Sequence, residues 1–150
     1  MATHSCPTRR KFLAVVGSSV AGAPLLGCSS AGQSPDPVGK VDAGVVTSYP
    51  VGSLEAVGTL PVAIGRDANG FYALTLTCTH QGCNMAQQGA VSANGITCYC
   101  HGARYDVSGH VLGGPAPEDL THYAVSIDTV TGAVTIDGNT HVSATTRTPV

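Results

Sequence analysis

The amino-acid sequence predicts a small all-β domain, a sandwich or barrel of antiparallel strands, preceded by an N-terminal signal segment. Segments typical of strands follow one another at short intervals after residue 40, and turn residues separate them. The 150 residues include 19 glycines, and only 11% of them are charged. This composition favours strands and turns over helices. The length allows one domain and a targeting segment.

Residues 1–28 form the predicted export signal. Arg9, Arg10 and Lys11 precede an apolar run from Phe12 to Leu26. A charged region followed by an apolar region is typical of export signals, and the adjacent arginines resemble a twin-arginine signal. The apolar run is shorter than the roughly 20 residues that a membrane-spanning helix needs. We therefore expect an exported protein, either periplasmic or anchored to the outer side of the membrane.

Cys28 ends the sequence Leu-Leu-Gly-Cys, which resembles a bacterial lipobox. Lipidation of Cys28 would attach the chain to the membrane through its N-terminus, whereas simple cleavage and an uncleaved anchor remain alternatives. Residues 29–39 are small, polar and proline-containing. Such a composition is typical of a flexible linker.

The predicted domain covers residues 40–140. Asp67 to Gly70 and Asn94-Gly95 are good hairpin connections. Strand signals occur at 41–47, 60–65, 71–77, 91, 96–97, 105–107, 110–112, 123–128 and 133–137. From Gly138 onward the chain is polar without a clear period, so we expect the tail, residues 141–150, to fray.

The charge distribution limits the function classes. Four basic and all nine acidic residues follow Cys28. An acidic domain argues against a nucleic-acid partner, because nucleic-acid binding requires a basic patch. The sequence also lacks the residue patterns of a nucleophile–base pair, a phosphate-binding loop or a paired-carboxylate site, so we expect no catalysis by this chain alone.

The chemistry is concentrated in two segments that each follow a predicted strand. The first reads Cys78-Thr79-His80-Gln81-Gly82-Cys83, and the second begins Cys98-Tyr99-Cys100-His101. Paired cysteines in a small domain indicate metal binding, disulfide bonding or both. Tetrahedral zinc is one alternative, although Cys-x-His is not a common zinc spacing. A disulfide scaffold would explain the cysteines and leave the two histidines without a role.

These segments closely resemble the Rieske iron–sulfur family, whose pattern is Cys-x-His followed by Cys-x-x-His. The resemblance extends over about residues 41–137. It implies one 2Fe-2S cluster per chain, with Cys78 and Cys98 on one iron and His80 and His101 on the other. Two imidazoles in place of two thiolates raise the reduction potential of such a cluster.

The resemblance implies further roles. Cys83 and Cys100 would form a disulfide between the two loops, and Gly113 to Pro117 would cover the cluster. Tyr105 matches a family residue that tunes the potential, whereas Ala103 stands where high-potential members have serine. Gln81 replaces the leucine that is usual in quinol-oxidising members.

The function that we expect is one-electron transfer by a subunit of an exported or membrane-attached redox complex. Its partner would be a cytochrome, a quinol-oxidising subunit or an oxidase subunit. A free-standing periplasmic carrier and a ferredoxin-like donor to an oxygenase are the alternatives, and the export signal opposes the ferredoxin. A domain kept only for structure or interaction is disfavoured, because all four ligands are present.

Overall fold

The structure is a computed structural model that describes Asp36 and residues 39–150. The predicted export signal, with Arg9, Arg10 and Cys28, lies outside the described residues, as does the linker apart from Asp36 and Gly39. In the described part of the chain, no helix is long and apolar enough to cross a membrane.

Strands dominate the described residues, in agreement with the predicted all-β class, and the helical content is a single 3-10 turn at Val46–Ser48. The strands are β1 (Lys40–Val45), β2 (Ser53–Ala56), β3 (Val62–Asp67), β4 (Gly70–Thr75), β5 (Gly89–Ser92), β6 (Gly95–Cys98), β7 (Arg104–Tyr105), β8 (Val111–Gly113), β9 (His122–Ile127) and β10 (Ala133–Val142).

Two antiparallel sheets make up the domain. The larger has six strands in the order β1-β10-β9-β4-β3-β2, and the smaller has four in the order β5-β6-β7-β8. Both predicted hairpins form, because Gly70 and Gly95 adopt positive φ angles at the β3–β4 and β5–β6 turns. The chain crosses from the larger sheet to the smaller one between β4 and β5, where the first cysteine–histidine segment lies.

The hydrophobic core has two parts, one on each face of β3 and β4. On one face Val62, Ile64 and Phe71 pack with residues of β9 and β10. On the other face Leu74 and Tyr72 pack with residues of the smaller sheet, among them Cys98, and with Cys78 of the loop after β4. Burial on both faces explains why β3 and β4 have apolar runs instead of a strict alternation. The two cysteines predicted as ligands therefore lie at the edge of this second part of the core.

Two expectations about the chain differ from the structure. Strand β2 was not predicted, because Ser53-Leu54-Glu55-Ala56 contains no β-branched or aromatic residue, the types that favour strands. It forms through pairing with β3, in which Leu54 lies opposite Gly65. The expectation of a frayed tail was wrong: β10 continues to Val142, and Thr148 pairs with Phe71.

Candidate metal centre

The first cysteine–histidine segment is a tight loop that follows β4. The amide of Cys78 donates to the carbonyl of Cys83 over 2.9 Å, and the amide of Gly82 donates to the carbonyl of Cys78 over 2.8 Å. Gly82 has a φ of 70°, in a region that glycine adopts readily. These bonds fix the backbone of the loop without a contribution from a metal.

The second segment follows β6 and repeats this backbone pattern. The amide of Cys98 donates to the carbonyl of Ala103 over 2.8 Å, and the amide of Gly102 donates to the carbonyl of Cys98 over 3.0 Å. Gly102 also has a positive φ, of 78°. Each loop thus runs from a leading cysteine to a left-handed glycine four residues later, and the two loops present their side chains in equivalent ways.

The leading cysteines are both free thiols, and they are buried, with exposures of 3% for Cys78 and 1% for Cys98. Burial raises the pKa of the Cys98 thiol, and the neighbouring Cys78 thiol adds to this effect. Iron binds thiolates, so metal binding here would release protons.

The two histidines meet between the loops. The ring centroids of His80 and His101 are 4.7 Å apart, with an angle of 81° between the ring planes. His101 is exposed, whereas the Nδ1 atom of His80 is buried without a hydrogen-bond partner. A buried ring nitrogen without a partner is costly, and a metal ligated at this atom would remove that cost. The donors that these loops bring together, two thiols and two imidazoles, fit a 2Fe-2S cluster with mixed ligands.

The predicted disulfide between Cys83 and Cys100 is present and joins the two loops. The sulfur atoms of Cys83, Cys98 and Cys100 lie within 4.8 Å of one another. This group is not a three-thiolate metal site, because the disulfide uses two of its sulfurs. Cys98 alone remains available as a ligand.

Tyr105, in β7, reaches the first loop with its hydroxyl group. Its oxygen lies 3.5 Å from Sγ of Cys78, and the amide of Thr79 donates to it over 3.2 Å. Burial raises the pKa of Tyr105 to about 12, so the phenol stays protonated at neutral pH. The hydroxyl can therefore donate a hydrogen bond toward the Cys78 sulfur.

Thr79 is the residue of this site whose role the sequence did not indicate. Its hydroxyl lies 3.0 Å from the Tyr105 hydroxyl and donates to the carbonyl of Glu118 over 2.8 Å. The sequence shows that Thr79 lies between two predicted ligands. Its hydrogen-bond partners Tyr105 and Glu118, however, are 26 and 39 residues away along the chain. Only the fold brings them together.

The proline-containing segment predicted as a cover packs against the second loop. A Cβ atom at Gly114 would lie 2.6 Å from the carbonyl oxygen of Gly102 and 2.8 Å from Cα of Ala103, so only glycine fits there. Ala116 is buried in the core, and Pro115 and Pro117 are exposed. The segment thus shields Ala103, which is fully buried, from solvent.

The outer surface of the two loops carries one polar and one aromatic side chain. Gln81 is exposed next to His80, and Tyr99 is 68% exposed beside Cys98. The amide of Tyr99 donates to the carbonyl of Gln88, which fixes its backbone. His101 lies on the same exposed loop as Tyr99.

Comparison with known proteins gives one family and several relatives. Residues 40–124 match the family model of the Rieske 2Fe-2S domain. The chain is 36% identical over 91 residues to the cytochrome b6-f complex iron-sulfur subunit of Synechococcus sp. (strain CC9605), covering 57% of this chain and 50% of that protein. The subunit of the same description from Prochlorococcus marinus (strain NATL1A) is 36% identical over 91 residues, with the same coverage of 57% and 50%.

Among solved structures, the fold is similar to a chain of the complex of reduced oxygenase and oxidized ferredoxin in carbazole 1,9a-dioxygenase. The TM-score is 0.50 at 24% identity, and the match covers 69% of this chain and 97% of the other. This likeness concerns the fold alone. The chain spans about half the length of the cytochrome b6-f relatives that it matches.

Proposed function

Because the chain belongs to the Rieske 2Fe-2S domain family, we propose that it transfers single electrons through a cluster held by Cys78, His80, Cys98 and His101. Family membership implies the 2Fe-2S cluster and a role in electron transfer. The assignment of these four residues as its ligands is the proposal. The observation that supports it best is the buried Nδ1 atom of His80, which has no hydrogen-bond partner although its ring lies 4.7 Å from the ring of His101.

When bound, the cluster would accept and release one electron without other covalent chemistry. The surrounding residues set the conditions. The two leading cysteines lie in the core, which excludes water, and the disulfide holds the loops at a fixed separation. The hydroxyl of Tyr105 faces one of these cysteines. His101 is exposed, so a redox partner can approach the site on that side.

Metal analysis tests the ligand set. The purified protein should contain two irons and two labile sulfides per chain, the composition of one 2Fe-2S cluster. Replacing His80 or His101 by alanine should abolish the electron paramagnetic resonance spectrum of the mixed-ligand cluster. His110→Ala is the matched control, since this exposed histidine pairs with Asp119 outside the two loops. One zinc per chain without sulfide would refute the proposal.

We also propose that the chain works as a subunit of an exported or membrane-attached redox complex. The relatives described as cytochrome b6-f complex iron-sulfur subunits support this role. The exposed Gln81 favours a second candidate, a free-standing carrier, because it places a polar side chain beside His80 where an apolar contact surface would suit quinol chemistry. Purification from native membranes distinguishes the two functions. If the chain is a subunit of a complex, other redox subunits should purify with it; if it is a free-standing carrier, it should purify alone.

Export is proposed from Arg9 and Arg10, and lipidation from Cys28. Replacing both arginines by lysine should leave the precursor in the cytoplasm if the twin-arginine signal operates. Loss of palmitate labelling in Cys28→Ala would assign the lipid to this residue. Export that continues in the double lysine variant would rule out the twin-arginine route.

A further inference from the structure

Thr79 connects three parts of the site through one side chain and one amide. Its hydroxyl contacts the carbonyl of Glu118, next to Pro117 of the covering segment, and the hydroxyl of Tyr105. Its amide donates to the oxygen of Tyr105. No other hydroxyl group of the described residues lies between the cysteine–histidine loops, Tyr105 and the covering segment in this way.

The number of protons determines which group donates in these contacts. A threonine hydroxyl has one proton, and a carbonyl oxygen can only accept. Thr79 must therefore donate to Glu118, at 2.8 Å, and cannot also donate to Tyr105. The contact of 3.0 Å between the two hydroxyls then requires Tyr105 as the donor.

Tyr105 also has a single hydroxyl proton, and two acceptors compete for it. One is Oγ1 of Thr79 at 3.0 Å, and the other is Sγ of Cys78 at 3.5 Å. The amide of Thr79 occupies a lone pair of the Tyr105 oxygen without supplying a second hydroxyl proton. The proton is therefore shared between the threonine oxygen and the cysteine sulfur.

We infer that Thr79 is a positioning residue that draws the Tyr105 proton away from the Cys78 sulfur and so lowers the reduction potential of the cluster. A hydrogen bond to a ligand sulfur withdraws electron density and stabilises the reduced form. The Glu118 carbonyl maintains this effect, because it takes the Thr79 proton and leaves Oγ1 as an acceptor. The inference rests on the proposed function, specifically on Cys78 as a ligand.

The test uses voltammetry at fixed pH on the cluster-loaded full chain. Thr79→Val removes the hydroxyl with little change in shape, so the Tyr105 proton is left with the sulfur as its acceptor and the potential should shift upward. Thr79→Ser keeps the hydroxyl and should restore the wild-type value. Tyr105→Phe should shift the potential downward, and Thr79→Val added to it should produce no upward shift. Thr97→Val, before Cys98, is the control for a threonine outside this network.

Three outcomes would overturn the inference. In the first, Thr79→Val leaves the potential unchanged or lowers it while the Rieske spectrum is intact. In the second, it raises the potential equally in the Tyr105→Phe background, which would show that Thr79 does not act through Tyr105. In the third, Thr79→Val and Thr79→Ala both fail to retain the cluster whereas Thr79→Ser retains it, which would show a purely structural role. Lack of a Rieske spectrum in the wild-type protein would instead refute the proposed function.

Discussion

Position 103 illustrates how one missing hydroxyl can set a redox property. Ala103 is fully buried beneath Gly114, and its carbonyl closes the second loop by accepting from the Cys98 amide. The alanine methyl group cannot donate a hydrogen bond, whereas a serine at this position can. The absence of this donor favours a potential below that of the high-potential members of the family.

Ala103→Ser should therefore raise the reduction potential, because a donor to a cluster sulfur stabilises the reduced state. Protein-film voltammetry at fixed pH measures the shift. Ala103→Gly is the control, since it changes the side chain without adding a donor. If the serine variant has the wild-type potential, residue 103 does not face the cluster, and the argument against high-potential quinol chemistry loses its main support.

The residues of the site differ in how far the sequence could predict them. The spacing of Cys78, His80, Cys98 and His101 carries a specific pattern, and the structure places these residues on two loops with equivalent backbone bonds and adjacent imidazole rings. Thr79 lies within the same pattern, but its function depends on partners contributed by β7 and by the segment before β9. A local pattern identifies a ligand set, whereas hydrogen bonds between distant segments require the fold.

At the scale of elements, the two loops depend on the disulfide between Cys83 and Cys100. The bond spans 17 residues of sequence and includes the β5–β6 hairpin within its loop. A cross-link over such a span restricts the unfolded chain and contributes about 3 kcal/mol by loop entropy. It also links the two cysteine–histidine loops to each other.

Replacing both cysteines by serine should lower the free energy of unfolding by about 3 kcal/mol. The visible absorption of the cluster should then bleach at a lower urea concentration. Wild-type protein treated with a disulfide reductant should shift in the same way, and the double serine variant should not respond to the reductant. Equal urea midpoints for both proteins would contradict a stabilising role of the cross-link.

The C-terminal segment is the second element with a clear structural role. Thr148 and Phe71 exchange two backbone hydrogen bonds, of 2.8 and 2.9 Å, and the Arg147 guanidinium lies 4.3 Å from the centre of the Tyr72 ring. Arg147 also pairs with Asp67 at the β3–β4 turn. Burial alone would raise the pKa of Asp67, but the hydrogen bond and charge of Arg147, together with hydrogen bonds from the Asn69 and Gly70 amides, outweigh it and the pKa is lowered.

Arg147→Ala should destabilise the domain by about 1–2 kcal/mol, because it removes a charged hydrogen bond and a cation–π contact. The lowered pKa of Asp67 means that its contribution is present above the ordinary carboxyl pKa of about 4 and is lost as the pH falls below it. Urea unfolding at pH 7 measures the change. Lys40→Ala, at the exposed start of β1, is the control. A similar loss in the two variants would show that Arg147 is an ordinary surface charge.

The elements that the sequence predicted and those that it missed differ in the source of their stability. Strands β3, β4 and β9 have strand-favouring residues and good turns, so local preference and tertiary packing agree. Strand β2 and the tail lack local preference. They are ordered because Leu54 fills one part of the core and because Thr148 pairs with Phe71 near the start of β4. Such order depends on the assembled sheet, so a short stretch of sequence does not predict it.

At the scale of the whole molecule, two histidines outside the site link the folding of the domain to pH with opposite signs. His122, in β9, is 3% exposed, and its Nε2 atom has no hydrogen-bond partner among the described residues. Burial lowers the pKa of His122, and the positive charges of Arg147 and His110 add to this effect. His110 is exposed, and its hydrogen bond with Asp119 raises its pKa.

The sign of each contribution follows from linkage. The folded state binds a proton at His122 less readily than the unfolded chain, so this residue leaves folding unaffected well above a pH of about 6.5 and opposes it increasingly below. His110 acts in the opposite sense, because its folded pKa is raised. Its contribution is present below a pH of about 6.5 and is lost as the pH rises through the folded pKa. The buried histidine should dominate, since the exposed pair is screened by solvent.

We therefore expect the urea midpoint of the cluster-loaded protein to fall between pH 7 and pH 5, and His122→Asn to reduce this fall. Asparagine keeps a donor that can reach the Leu120 carbonyl, which now accepts from Nδ1 of the histidine, but it does not titrate. His110→Asn should make the fall steeper, because it removes the contribution that grows in acid. If His122→Asn leaves the pH dependence unchanged, protonation of the buried imidazole on unfolding is not the cause of the acid sensitivity.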